Sequence, residues 1–116
     1  MHTKDYNYTA TIINVVDGDT VDAIVDLGFT VSVKIRFRLY GIDTMEKNDK
    51  DLAKRELGVR AKDFLTDLVY NKTVMIKSHK TDKYGRWLAE IFYKEVNVNQ
   101  VMLDEELAVP YNGGKK

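Results

Sequence analysis

The sequence predicts an α+β fold in which five short strands form a small barrel and two helices are added to it. Three observations carry this expectation. Apolar residues alternate with a period of two from Tyr8 to Tyr40; the period becomes helical between Leu57 and Tyr70; two further β-rich runs and a second helical run then follow. Five strands with a helix between the third and the fourth suit a closed five-stranded Greek-key barrel of the OB type, although strand pattern alone leaves SH3-like barrels and open sheets nearly as favoured.

The first strand runs from Tyr8 to Val16, where Tyr, Thr, Ile and Val alternate, and Asp17-Gly18-Asp19 is a turn or bulge signal. The second covers Thr20 to Leu27, with Val21, Ala23, Val25 and Leu27 on one face, and Gly28 offers a hairpin turn. The third, Thr30 to Tyr40, is the most regular: Val31, Val33, Ile35, Phe37 and Leu39 oppose Ser32, Lys34, Arg36 and Arg38. Residues Lys47 to Arg55 are dense in charge and read as a mobile loop or a frayed helix start. Leu57, Ala61, Phe64, Leu65 and Leu68 recur at helical spacing up to the Asn71-Lys72 stop. The last two strands are expected at Thr73 to Ser78 and Arg86 to Tyr93. Val98, Val101, Met102 and Leu107 mark the second helix, and Asn112-Gly113-Gly114-Lys115-Lys116 reads as a flexible tail.

At 116 residues the chain is expected to be one domain, 1–116, since no linker, repeat or low-complexity stretch divides it. With 44% hydrophobic and 31% charged residues it has the balance of a soluble globular protein. The absence of cysteine excludes disulfides, thiolate metal sites and a cysteine nucleophile. No apolar run reaches membrane-spanning length and the amino terminus lacks the apolar centre of a secretory signal. No membrane association is therefore expected, and the chain as given is expected in the cytoplasm, or secreted if a signal was removed. Eighteen basic residues balance eighteen acidic ones, so any grip on a polyanion must come from their distribution.

Three phrases stand out: Val15-Val16-Asp17-Gly18-Asp19-Thr20, Phe37-Arg38-Leu39-Tyr40-Gly41-Ile42-Asp43-Thr44-Met45-Glu46, and Thr81-Asp82-Lys83-Tyr84-Gly85-Arg86. Asp-Gly-Asp-Thr alone is a common turn phrase, and an isolated arginine on a strand means little. Their order, spacing and co-occurrence over roughly the first 110 residues resemble the staphylococcal nuclease (thermonuclease) family, an SNase-like domain.

The resemblance implies a calcium-dependent nuclease that cuts DNA, RNA or both, leaving 3′-phosphate and 5′-hydroxyl ends. It assigns Asp19, Asp43 and the main-chain oxygen of Thr44 as metal ligands, and such hard oxygen donors suit Ca2+. It assigns Arg38 and Arg86 to the scissile phosphate, where guanidinium groups offset developing charge. Glu46 becomes the general base or water-orienting carboxylate. Lys83 and Tyr84 fall beside the terminal phosphate of a bound nucleotide, and Tyr111 against its base. The implied partner is nucleic acid, single-stranded DNA or RNA, and the implied state a monomer. The alternative is a catalytically weak or inactive nucleic-acid-binding module of the same fold.

Departures from the family accompany these matches, among them a loop after Glu46 that differs in length and charge. Met45 stands where proline is common, Glu106 where glycine is common at a helix end, and the family's third, C-terminal helix is expected to be lacking. Other residues carry plainer expectations. Asp17 is read as a turn residue, Lys34 and Arg36 as a solvated strand face, and His79 as a surface histidine at a strand end. Tyr6, Tyr8, Tyr40, Tyr70 and Tyr93 are read as packing residues, and Trp87 as packed in or against the barrel.

Overall fold

The period-two alternation of the first half folds into three long antiparallel strands: β1 (Tyr6–Asp17), β2 (Thr20–Gly28) and β3 (Val31–Leu39). The computed structural model describes residues 6–79 and 81–111, so the expected tail at 112–116 lies outside the described residues, as does Lys80. A short β4 (Ile42–Asp43) leads by a loop into helix α1 (Leu52–Val69), followed by β5 (Thr73–His79) and β6 (Trp87–Tyr93). The chain continues through β7 (Val96–Asn97), α2 (Val98–Asp104) and β8 (Val109–Pro110).

The sheet runs β3-β2-β1-β5-β6, and a parallel pairing of β3 with β6, Phe37 to Trp87 through Leu39 to Ala89, closes it. This is a five-stranded barrel of the OB type with two helices. The three remaining strands are two-residue bridges: β7 extends β6, and β4 pairs with β8. Register shifts in β1 between Ile12 and Asn14 and between Val15 and Asp17 are bulges that bend the strand, as closure requires.

Inside lie Ile12, Val21, Leu39, Ile76, Ile91 and their neighbours, with Leu65 and Val69 of α1 and Met102 of α2 covering one end. Each fully buried aliphatic side chain is worth about 1.5–3 kcal/mol. Helix α1 buries Gly58, Ala61, Leu65 and Val69, one face at helical spacing. It begins five residues before the expected Leu57 because Asp51 caps it, accepting from the N–H groups of Ala53 and Lys54 at 2.9 and 3.3 Å. The cap thus makes the last four residues of the charged Lys47–Arg55 stretch, Leu52 to Arg55, the first turn of the helix, the second of the two expectations for it. The second helix stops at Asp104, short of Leu107.

The third strand departs from its expected pattern. Only Phe37 and Leu39 of its apolar face are fully buried, whereas Val31 and Val33 are exposed, because the β2–β3 hairpin runs past the barrel rim. Its tip, Gly28-Phe29-Thr30, has three consecutive residues in the left-handed region, and Phe29 is 97% exposed.

Candidate active site

Four chain segments meet at one end of the barrel. The Gly18-Asp19 turn joins β1 to β2, Arg38 sits one residue before the end of β3, Asp43 and Thr44 follow the barrel closure, and Arg86 immediately precedes β6. A cavity of about 330 Å³ is lined by Asp17, Asp19, Thr20, Arg38, Asp43, Thr44, Glu46, Arg86 and Tyr111. The folded barrel therefore gathers every expected metal-ligand and catalytic residue around one space.

Arg38 is the electrostatic centre. Its side chain is only 9% exposed; Nη2 lies 2.9 Å from Asp43 Oδ1 and 3.4 Å from Asp19 Oδ2, while Nη1 donates to the Ile42 carbonyl at 3.0 Å. One buried cation thus holds two carboxylates that would otherwise repel. Asp19 Oδ2 also accepts the Thr44 N–H at 3.2 Å, which ties the turn after β1 to the loop after β4. Burial pushes the Asp19 carboxyl above its ordinary range, outweighing the Arg38 charge and the hydrogen bonds from Thr44 and Thr20, with Asp43 adding repulsion.

Both acidic loops rest on the small-residue face of α1. A Cβ on Gly58 would lie 2.4 Å from the Glu46 carbonyl carbon, and one on Gly18 would lie 2.6 Å from Ala61 Cβ. Glycine is required at both positions for close approach. Lys47 Nζ, donating to the Val16 carbonyl at 2.8 Å, fastens the residue after Glu46 to β1. Glu46 itself is exposed and lines the cavity.

On the opposite rim, Asp82 organises the Lys83-Tyr84-Gly85-Arg86 turn. Its Oδ1 accepts the N–H groups of Tyr84 and Arg86, each at 2.9 Å, and Oδ2 takes Arg86 Nε at 2.6 Å. Burial would raise the Asp82 carboxyl, but these bonds and the arginine charge hold it below its ordinary range. A second cavity, about 280 Å³, is lined by Arg38, Tyr40, Lys83, Tyr84, Arg86 and Tyr111 among others. Tyr111 is brought there by the β4–β8 pairing and by its N–H bond to the Gly41 carbonyl, and its ring lies 4.8 Å from the Arg38 guanidinium. The Tyr84 ring is similarly 5.1 Å from the Arg86 guanidinium. Both tyrosines thus present aromatic surface beside a cation.

The donor set fits a hard divalent cation. Asp17 Oδ1 and Thr44 Oγ1 are buried with no hydrogen-bond partner among the described residues, and the disfavoured Asp19 charge sits beside them. Among the described residues no three His, Cys, Asp or Glu side chains form a metal-holding group by themselves. A cation here would complete its shell with main-chain oxygen, water or substrate, the open pattern suited to catalysis.

Several expectations need adjustment. Trp87 is not packed away but 48% exposed at the first position of β6, and Arg86 precedes that strand instead of opening it. Tyr40 is also exposed, and its ring stacks on that of His79 at 3.8 Å, while His79 Nε2 lies 3.1 Å from Glu90 Oε1. Arg36 is paired with Asp22, at 2.7 Å through Nε and 3.1 Å through Nη2, and is not merely solvated. Asn99 was not signalled by sequence, yet it is buried and binds the Tyr40 and Ala89 carbonyls and the Ile91 N–H, bracing the strands that lead from Arg38 and Arg86. A polar residue between Val98 and Met102 on a short helix was the only available sign. Gly58 and Asp82 were equally missed, though a glycine inside a helix is a flag for close approach.

The family profile described as staphylococcal nuclease homologue matches residues 36–116, from the end of β3 onward, and the chain belongs to that family. It is 31% identical over 103 residues to a protein called an uncharacterized endonuclease from Haemophilus influenzae, covering 89% of this chain and 52% of that protein. It is 27% identical over 114 residues to a micrococcal nuclease of Shigella flexneri, covering 90% and 59%. An uncharacterized endonuclease of Escherichia coli O157:H7 is 32% identical over 93 residues, covering 79% and 54%. The chain therefore spans only somewhat more than half the length of these relatives.

Proposed function

We propose that this protein is a calcium-dependent nuclease that hydrolyses phosphodiester bonds of DNA, RNA or both and leaves 3′-phosphate and 5′-hydroxyl ends. The observation that carries the reading is the single polar cavity in which Asp19, Asp43, Thr44 and Glu46 face Arg38 and Arg86. Family membership and the nuclease names of its relatives support it.

In this reading Asp19 and Asp43, with the Thr44 main-chain oxygen, hold the cation. When bound, calcium would supply positive charge against the phosphate and favour ionisation of nearby water. Arg38 and Arg86 take the phosphate oxygens, and each would stabilise the extra charge of the five-coordinate transition state. Arg86 arrives already oriented by Asp82, and Arg38 by Asp43 and the Ile42 carbonyl. Glu46 receives or orients the proton of the attacking water, opposite the leaving 5′ oxygen. Tyr84, Lys83 and Tyr111 hold the nucleotide beside the arginines.

The test is digestion of single-stranded DNA and of RNA in calcium, in magnesium and in chelator, with phosphatase-sensitive end labelling. Calcium-supported cleavage yielding 3′-phosphates is expected, with a loss on the order of 10²–10³-fold in Arg86→Ala. Cleavage that persists in chelator, or an Arg86→Ala variant as fast as the parent, would contradict the assignment.

A further inference from the structure

We infer that the groove between β3 and the start of β6 is a second nucleotide subsite, in which Trp87 stacks on the base that follows the scissile phosphate on the side away from Tyr84 and Tyr111. The inference rests on the nuclease reading above and names how its substrate continues.

Three cavities radiate from the same two arginines. Arg38 and Arg86 line the carboxylate cavity, the tyrosine-lined cavity and a third of about 370 Å³ that also meets Lys34, Ile35, Arg36 and Trp87. A phosphodiester held by these arginines carries a nucleoside on each side. The carboxylate cavity is reserved for water and cation, so the two nucleosides have the other two cavities to enter. One offers Tyr84 and Tyr111; the other offers Trp87.

The third cavity has the chemistry of a single-strand platform, an aromatic face within a basic groove. Trp87 shares its strand face with Ala89 and Ile91, which are buried, yet it remains 48% exposed at the first position of β6, where the β3–β6 pairing begins. Ile35, across the β3–β6 pairing, lines the same groove. Its charged walls are cationic: Lys34 is exposed, and the Arg36 side chain is 63% exposed although Asp22 holds its Nε and Nη2 edge. Such a wall suits the next phosphate of the chain. Stacking on any base is sequence-tolerant, so the subsite adds affinity and length preference without base specificity.

The chain contains one tryptophan, which makes the subsite directly observable. Fluorescein-labelled octathymidylate is titrated into the full chain carrying Glu46→Gln, in calcium, and both label anisotropy and tryptophan emission are followed. Thymidine 3′,5′-bisphosphate, which spans only one nucleoside, is the comparison. Quenching of Trp87 by the octamer and not by the bisphosphate is expected. In the otherwise native enzyme, Trp87→Ala is expected to raise KM for the octamer about tenfold, and Trp87→Phe to restore most of it. Saturating anisotropy with unchanged tryptophan emission, together with an unchanged KM in Trp87→Ala, would overturn the subsite while leaving the nuclease reading intact. Quenching by the octamer with no cleavage by the parent chain would instead uphold the subsite and overturn the nuclease reading.

Discussion

Gly58 shows how a residue with no side chain can fix the backbone of another, here Glu46. Within a helix glycine costs about 1 kcal/mol relative to alanine, a penalty that the close packing of the Glu46 backbone explains, since a Cβ at position 58 would lie 2.4 Å from the Glu46 carbonyl carbon. Gly58→Ala is therefore predicted to lower kcat about 10–100-fold by displacing Glu46, while the melting temperature falls only modestly, since helix propensity offsets part of the clash. Steady-state kinetics beside a thermal melt check this; an unchanged kcat would show that Glu46 is placed by other contacts. Asp22 offers a second residue-scale case. Hydrogen bonds from Arg36 and Asn14 hold its carboxyl below the ordinary range despite burial. A depressed pKa contributes stability above the ordinary carboxylate range that is lost as pH falls through the folded value. Asp22→Asn is thus predicted to lower stability by on the order of 1 kcal/mol at neutral pH, discounted for the exposed Arg36, and to narrow its gap from the parent as pH drops below about 4. Melts across that range give the answer, and a gap that widens in acid would be the wrong sign. At this scale the sequence was most legible where residues sit inside distinctive phrases, as Asp19, Arg38, Asp43 and Arg86 do. It was silent where the role depends on what folds against a residue, as for Gly58 and Asn99.

Among elements, the two helices were readable from apolar spacing but not in their ends. Leu52 to Glu56 lack apolar periodicity, so only Asp51 as a cap marks the start of α1. The second helix was expected to include Leu107, but it stops at Asp104. Glu106 occupies the left-handed region at φ 61°, and the N–H groups of Leu107 and Glu106 bond to the Met102 and Leu103 carbonyls, completing the helix-ending motif that glycine favours. Glu106→Gly is predicted to stabilise the protein by about 0.5–1 kcal/mol and to raise Tm by a few degrees, without altering cleavage. A calorimetric scan showing no rise or a fall would mean that the glutamate side chain contributes contacts exceeding the backbone strain. The β2–β3 hairpin was misjudged for a different reason. Its alternating apolar face is continuous in sequence, but the sheet folds around the core only as far as Phe37, so the same pattern continues into solvent.

At the scale of the whole molecule, closure of the barrel is what creates the site. The parallel pairing of β3 with β6 sets Arg38 beside the entry to Arg86, two positions 48 residues apart in sequence. Asn99 of α2 then braces both strands from one side chain, and α1 supports both acidic loops from the other direction. Barrel class could be expected from five strands and one intervening helix; closure through β3 and β6 could not, because parallel pairing at a distance leaves no local signal. In the proposed function this closed barrel presents Glu46 to water at a phosphate held by two arginines and a calcium ion. The measurement that tests it most directly is the single-turnover rate of cleavage of single-stranded DNA in calcium by the parent chain and by Glu46→Gln, with nucleotide affinity measured in both. A rate that falls by on the order of 10²–10⁴-fold in Glu46→Gln, with affinity held within a few-fold, is the predicted result. Equal rates, or no cleavage by the folded parent chain while it still binds nucleotide, would contradict it.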